Sequence, residues 1–358
     1  MTIMQQPNLL LEALSYLGRR ANGSTWEHIE HRIHLRKIDP APSFLHTMEQ
    51  LKNLSGYLND AIHLDAEELT ELFGNIEGFP HNTIGSSSVA FLLFYPLIDT
   101  YEGNADQLLS YLHGLSADHV AYHIAFTLDL TDRDNSLVSF GEHELIDSIL
   151  SLSIPDKSKL AILGICHNYH SLADRIAAIL FPAVRILEQH TDLINTLSSD
   201  FVALVEEMGP RHYLEETSHL ELCIDSDYII RPFLFGMDTT LASELLSDRV
   251  FVYCGILRKE LLTMLTEQRN SGDDIYEAYR LLGDRTRFDI LCYLRGRSAY
   301  GQELCEHFSL SRNTIHHHMS KMISSGLVTC IIDGNRTYYT LDKEAFSLLI
   351  HRQEELFL

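Results

Sequence analysis

The stretch 301–341, GQELCEHFSLSRNTIHHHMSKMISSGLVTCIIDGNRTYYTL, constrains this chain more than any other. It reads as two helices joined by a tight turn, then a two-stranded ribbon. The first helix covers 301–308, and Ser309-Leu310-Ser311 makes the turn. Ser311 is placed to cap the second helix, where its hydroxyl can accept a backbone N–H that lacks a partner within the helix. Ile315, Met319, Met322 and Ile323 recur at i, i+4, i+7 and i+8, one apolar stripe. The opposite face carries Asn313, His317, Ser320, Lys321 and Ser324, rich in hydrogen-bond donors and without an acid. A helix that packs on one side and offers donors and positive charge on the other suits the DNA major groove, which displays acceptors between anionic phosphates. Gly326 stops the helix. Residues 327–332 form a β-rich run, Asp333-Gly334-Asn335 signals a hairpin, and 336–341 returns. Arg336 sits at the tip, within reach of a phosphate or the minor groove.

Residues 281–294, LLGDRTRFDILCYL, join this stretch in a recognisable order. Taken with QELCEHFSLSRNTIHHHMSKMISSGLV and GNRTYYTL, the segment resembles the ArsR-type winged-helix repressors of bacteria. The shared pattern is a Thr-Arg near one helix start, Glu-Leu in the next helix, paired histidines before an apolar residue, Gly-Leu-Val, and Arg-x-Tyr-Tyr in the wing. Arg285 stands where the family usually has proline between Asp and Thr, which changes the helix start and adds charge. The resemblance implies a winged helix, double-stranded DNA as partner, and terminal helices that pair two copies about a two-fold axis. Such a homodimer reads an inverted repeat with half-sites about one helical turn apart. The residues nominated for DNA contact are Ser311, Arg312, Asn313, Thr314, His316, His317, Ser320, Lys321 and Arg336.

The family includes metal sensors, which makes the ligand-type residues candidates for a metal site. In the arsenic, antimony and cadmium sensors a Cys-x-Cys follows Glu-Leu. Here Glu303-Leu304 leads into Cys305-Glu306-His307, one thiol short for a soft ion. The zinc sensors need Asp-x-His ahead of His-x-x-Glu. His351 and Glu354 are present, but Tyr338-x-Thr340 occupies the first position. Cys166, His167 and His170 offer a thiolate and two imidazoles, yet three ligands close together on one helix rarely converge. His28, His31 and His34 fit one solvated helix face, and His119 and His123 lack the intervening Glu of a zincin motif. In the run His316-His317-His318, consecutive side chains point ~100° apart. No metal and no cofactor is expected; Cys305, His307, Cys166, His167 and His170 are the candidates to check.

Charge separates the chain into two parts. The whole carries 27 Lys+Arg against 50 Asp+Glu, net −23. Residues 271–358 account for only 10 against 12, leaving 17 against 38 in residues 1–270. Acidic surface opposes non-specific binding to a polyanion, and nearly all of the excess lies outside the winged helix. No run of ~18 apolar residues is present, and the start MTIMQQPN is neither a signal nor a transit peptide. Six scattered cysteines form no C-x-x-C, which indicates reduced thiols. A cytoplasmic protein with no membrane partner is expected.

Upstream, helical periodicity recurs to about residue 208, with the longest tract over 156–190 and Pro182 expected to kink or divide it. After Gly209-Pro210 the pattern turns to strands at 220–224, 228–235 and 249–257, with Pro232 demoting the second to an edge. The expected fold is mainly α: a helical N-terminal body (1–210), a small antiparallel β element completing it (211–270), and a C-terminal α+β winged helix-turn-helix (271–358). The function that follows is a DNA-binding transcriptional regulator, a repressor, answering to an unknown small molecule or protein. The alternative is a small-molecule-modifying enzyme or metal sensor with an appended DNA-binding domain. No nucleophile elbow, phosphate loop or dinucleotide fingerprint supports catalysis, so the chain is not expected to be an enzyme.

Overall fold

The structure is a computed structural model. It describes residues 1–24, 26, 30, 33, 39–78, 87–101, 103–128, 130–131, 140–152, 154–218, 220–222, 227–243, 249–267, 272–333 and 336–357. Strand β1 (Thr2–Ile3) precedes α1 (Leu9–Ala21), α2 (Pro42–Ala61), α3 (Ala66–Phe73) and α4 (Val89–Phe94). Helices α5 (Ala105–Gly114), α6 (Ala117–Thr127) and α7 (Glu142–Ser151) lead to the long α8 (Asp156–Gln189), α9 (Thr191–Met208) and α10 (Pro210–Ser218). Strands β2 (Leu220–Leu222), β3 (Tyr228–Phe233), β4 (Thr240–Ser243) and β5 (Val250–Gly255) come next. The last part runs α11 (Arg258–Glu267), α12 (Gly272–Leu282), α13 (Arg285–Leu294), β6 (Ser298–Tyr300) and α14 (Gly301–Phe308). It ends with α15 (Arg312–Ser324), β7 (Val328–Asp333), β8 (Arg336–Leu341) and α16 (Lys343–Phe357).

The chain divides into two compact units. Met1–Pro210 joins Asp227–Glu260 in the first, and Arg211–Ser226 joins Leu261–Leu358 in the second. The sequence pattern alone assigns all of 211–270 to the N-terminal body. Segment 211–226 instead belongs with the C-terminal unit because β2 hydrogen-bonds to β7, with Leu220 opposite Cys330 and Leu222 opposite Ile332.

In the first unit α1 is buried around most of its circumference, with Leu10, Leu11, Ala13 and Leu17 fully enclosed, as befits a helix with little polar face. Asn8 caps it by accepting the Leu11 amide at 3.1 Å, and the helix packs along α8. Helix α8 passes through Pro182 without dividing. Ile179, Leu180, Ala183, Val184 and Leu187 are buried on either side of the proline. Holding that face together offsets the roughly 3 kcal/mol that an internal proline costs a helix.

The sheet of the first unit differs from the antiparallel element expected. Its order is β1-β3-β5-β4, with β1, β3 and β5 parallel and only β4 antiparallel. The continuous apolar run of β5 marks a strand covered on both faces, the pattern of a parallel interior. Strand β3 is likewise interior; β1 reaches only Ile230, so Pro232 lies beyond its end. The loop leaving β3 is clamped by α1. Glu12 accepts the amides of Leu234 and Phe235, each at 2.8 Å, while Arg19 donates to the Phe235 carbonyl and pairs with Asp238 at 3.1 Å.

The second unit has a four-stranded sheet, order β2-β7-β8-β6, in which β2 runs parallel to β7 and the other pairs are antiparallel. Its core gathers Ile290, Leu294, Leu304, Ile315, Met319 and Met322 from α13, α14 and α15. The terminal helices α12 and α16 pack on each other.

Candidate nucleic-acid interface

The pair α14–α15 is built by local chemistry that fixes both ends of its turn. Glu303 accepts the Tyr300 amide at 3.0 Å, closing the start of α14. At the far end Ser309 adopts the left-handed conformation (φ 52°, ψ 40°), and the Leu310 amide returns to the Cys305 carbonyl at 3.1 Å. Ser311 then caps α15, its Oγ accepting the Thr314 amide at 3.2 Å and lying 2.8 Å from the Thr314 hydroxyl. Gly326, at φ +74°, ends the segment with a backbone that an L side chain would strain.

Helix α15 divides into two faces. Ile315, Met319 and Met322 are buried against α13, α14 and β7. His317 and Lys321, one turn apart, are exposed, with Thr314, His316 and Ser320 half-buried beside them. Ser311 and Thr314 therefore serve the helix start as well as its outer edge. The side chains of Arg312, Asn313 and Arg336 lie outside the described residues, and so do His28, His31 and His34. The backbones of the first three are placed, at the first turn of α15 and at the first residue of β8.

The charges on this face are arranged around Lys321. Partial burial lowers the pKa of His317, and the Lys321 ammonium and the neighbouring His318 lower it further. His317 is thus a neutral hydrogen-bonding imidazole at neutral pH, with Lys321 as the cation beside it. His318 points elsewhere. Its side chain is only 12% exposed, and its Nδ1 lies 3.9 Å from Oδ1 of Asp284, the residue that caps α13. Sequence reasoning nominated the first two histidines of the run and missed the third. Position 318 falls at i+3 from Ile315, at the edge of the buried stripe, where a histidine can pack inward or point outward.

This geometry, two helices around a capped turn followed by a strand pair, coincides with a match to known proteins. Residues 284–329 fit the family described as bacterial regulatory protein, arsR family. Residues 284–329 are an ArsR-family helix-turn-helix. The arsenical resistance operon repressor of Staphylococcus aureus is 36% identical over 63 residues, 18% of this chain and 61% of that protein. The repressor of the same name from Staphylococcus xylosus is 35% identical over 65 residues, 18% of this chain and 62% of that protein. The chain therefore spans about three fifths of the length of each relative, and the matches leave most of its first unit without a counterpart. No solved structure matches the chain.

Within the ArsR-type motif, Arg287 is structural. Its Nε donates to the Leu281 carbonyl at 2.8 Å, tying α13 back to the end of α12. Arg285, at the position where proline is usual, pairs with Asp289 at 2.8 Å on the exposed side of α13. Cys305 is half-buried, and the His307 ring packs at a tilt over Tyr293. In the first unit Cys166 faces the core while His167 and His170 face solvent. Burial pushes the Cys166 thiol up to about 12, far from the thiolate a metal needs. His170 donates to the His113 carbonyl at 3.1 Å. His123 is buried and held down at about 4, chiefly by that burial, while His119 meets the Ser116 hydroxyl at 2.6 Å. Among the described residues no three His, Cys, Asp or Glu side chains converge on a metal-sized site. No helix among them is long and apolar enough to cross a membrane.

Proposed function

We propose that the chain is a DNA-binding transcriptional regulator, a cytoplasmic repressor that binds an inverted-repeat operator as a homodimer. In this reading the first unit receives the signal, a small molecule or a protein partner. The observation that carries it is the division of α15, with Ile315, Met319 and Met322 fixed in the core while His317 and Lys321 stand exposed on the other side. A helix that enters a groove must be anchored by one face and readable by the other. Both relatives are operon repressors, which supports repression as the direction of control.

Pairing of two copies is supported by the terminal helices. Tyr276 and Tyr279 on α12 and Ile350 and Phe357 on α16 are exposed, although the two helices pack on each other. Large apolar side chains gathered on adjacent helices favour a self-complementary contact. The acidic excess of residues 1–270 supports a role for the body other than touching the polyanion. Metal as the signal has less support, because Cys305 has no second thiol within its motif and His307 is engaged with Tyr293.

The test is selection of random-sequence duplexes on the immobilised full chain. An inverted repeat should be enriched, and the double variant His317→Ala/Lys321→Ala should lose it. If no duplex is enriched at low salt, the reading is wrong.

A further inference from the structure

His318 is the residue of the recognition helix that neither the packed stripe nor the exposed face accounts for. Its Nδ1 is buried and has no hydrogen-bond partner among the described residues. Buried polar atoms are nearly always satisfied, so a bare one asks for a cause. Oδ1 of Asp284 lies 3.9 Å away, beyond hydrogen-bond reach but within easy closing distance. Asp284 is itself fixed, since Oδ1 accepts the Arg287 amide at 2.9 Å as the cap of α13. Nor does the Arg287 guanidinium satisfy the carboxylate. It donates to the Leu281 carbonyl at 2.8 Å and stays 3.8 Å from Oδ2 of Asp284.

Among the described residues, few charged and titratable groups act on the ring. Asp284 and Arg287 come from α13, and Lys321 and His317 come from the ring's own helix. Burial, Arg287 and Lys321 favour the neutral ring, and Asp284 alone favours the cation. A nearby polyanion would tip that balance, because negative charge close to an imidazole stabilises its protonated form. The protonated ring carries N–H on both nitrogens and can donate from Nδ1 in a charge-assisted bond.

We propose that His318 is a positioning residue that takes up a proton when α15 meets DNA, closing onto Asp284 and fixing the recognition helix against α13 in its bound orientation. The proton comes from solvent and no covalent bond changes. By linkage, affinity for DNA rises as pH falls. This rests on the DNA-binding reading above and names a residue and a pH response that the reading does not contain.

The test pairs two measurements on the full chain. In the first, a duplex selected from random-sequence DNA on the wild-type chain is titrated by fluorescence anisotropy between pH 5.5 and 7.5. Asp284→Asn keeps a side chain that caps a helix well but removes the counter-charge. The ratio of Kd at pH 7.5 to Kd at pH 5.5 should shrink by about fivefold in Asp284→Asn. It should shrink likewise in His318→Gln and no further in the double variant. In the second, NMR of histidine-labelled chain without DNA should show the His318 titration moving to lower pH in Asp284→Asn. Equal ratios in wild type and Asp284→Asn, or an unmoved His318 titration, overturn the proposal while leaving DNA binding intact. Failure of the wild-type chain to enrich any duplex removes the DNA reading and this proposal together.

Discussion

The Glu12 carboxyl group on α1 accepts the Phe235 amide at 2.8 Å, tying the first helix to the loop that leaves β3. Its other oxygen holds the Leu234 amide at the same distance. Glu12→Ala should destabilise the first unit by about 1–3 kcal/mol for each amide left dry, read as a lower denaturation midpoint. Burial pushes the Glu12 carboxyl up to about 8, against the pull of the two amides and Arg19. A folded-state value above the ordinary one of 4.5 means the folded chain binds that proton more tightly. The stability it contributes is complete below pH 4.5 and lost as pH rises through about 8. Melting temperature should therefore fall between pH 5 and pH 9, and Glu12→Gln should flatten that fall.

His317 and Lys321 share the exposed face of α15, and their replacement should separate two kinds of contact. His317→Ala should cost about 1–3 kcal/mol on the selected duplex, the range for a lost base-edge contact, and far less on unrelated DNA. Lys321→Ala should weaken binding to all sequences and reduce the slope of log K against log salt by about one. Neither change should lower the melting temperature, since neither side chain belongs to the core. Unchanged anisotropy curves for both would remove α15 from the DNA.

On α16, Ile350 is exposed at the end of the chain that the proposed two-fold contact would cover. Ile350→Glu should place a carboxylate in that contact and cost the dimer about 2 kcal/mol or more. Sedimentation velocity should show a monomer with an unchanged circular dichroism spectrum. A variant that still sediments as wild type would move the contact elsewhere.

Tyr293 bears directly on metal sensing, because the His307 ring lies over it with centroids 4.1 Å apart and planes at 34°. The Arg297 guanidinium sits 4.0 Å from the same ring. An imidazole held in that ring contact must leave it before it can ligate beside Cys305. Arsenite or zinc added in a tenfold excess, a ratio of about 10 chosen to saturate any site of micromolar affinity, should leave DNA affinity unaltered. A stoichiometric loss of binding that Cys305→Ser abolishes would restore the metal reading.

The winged helix was legible because its restraints are local. Ser311 as cap, the stripe from Ile315 to Met322 and Gly326 as stop each act within a few residues, and each is found where the pattern put it. Asp284 as the cap of α13 was equally readable. Other features were not. Strands β1 and β6, of two and three residues, are too short to alternate visibly and owe their existence to partners far along the chain. The sense of β3 against β5 was lost for the same reason, since parallel pairing is set by the path between strands rather than by composition. His318 escaped because a histidine between apolar neighbours looks identical whether it packs or points outward. Only Asp284, from another helix, distinguishes the two.

The strand Leu220–Leu222 has a consequence for how such a molecule can be taken apart. Its pairing with β7 means the polypeptide visits the DNA-binding unit, leaves it for β3 to β5, and comes back to finish it. The two halves are stitched, not strung. A fragment beginning at residue 271 would lack the outermost strand and present the bare edge of β7 to any other chain, so it would tend to self-associate. The smallest faithful piece must bring 211–226 along, in trans or by a rewired loop.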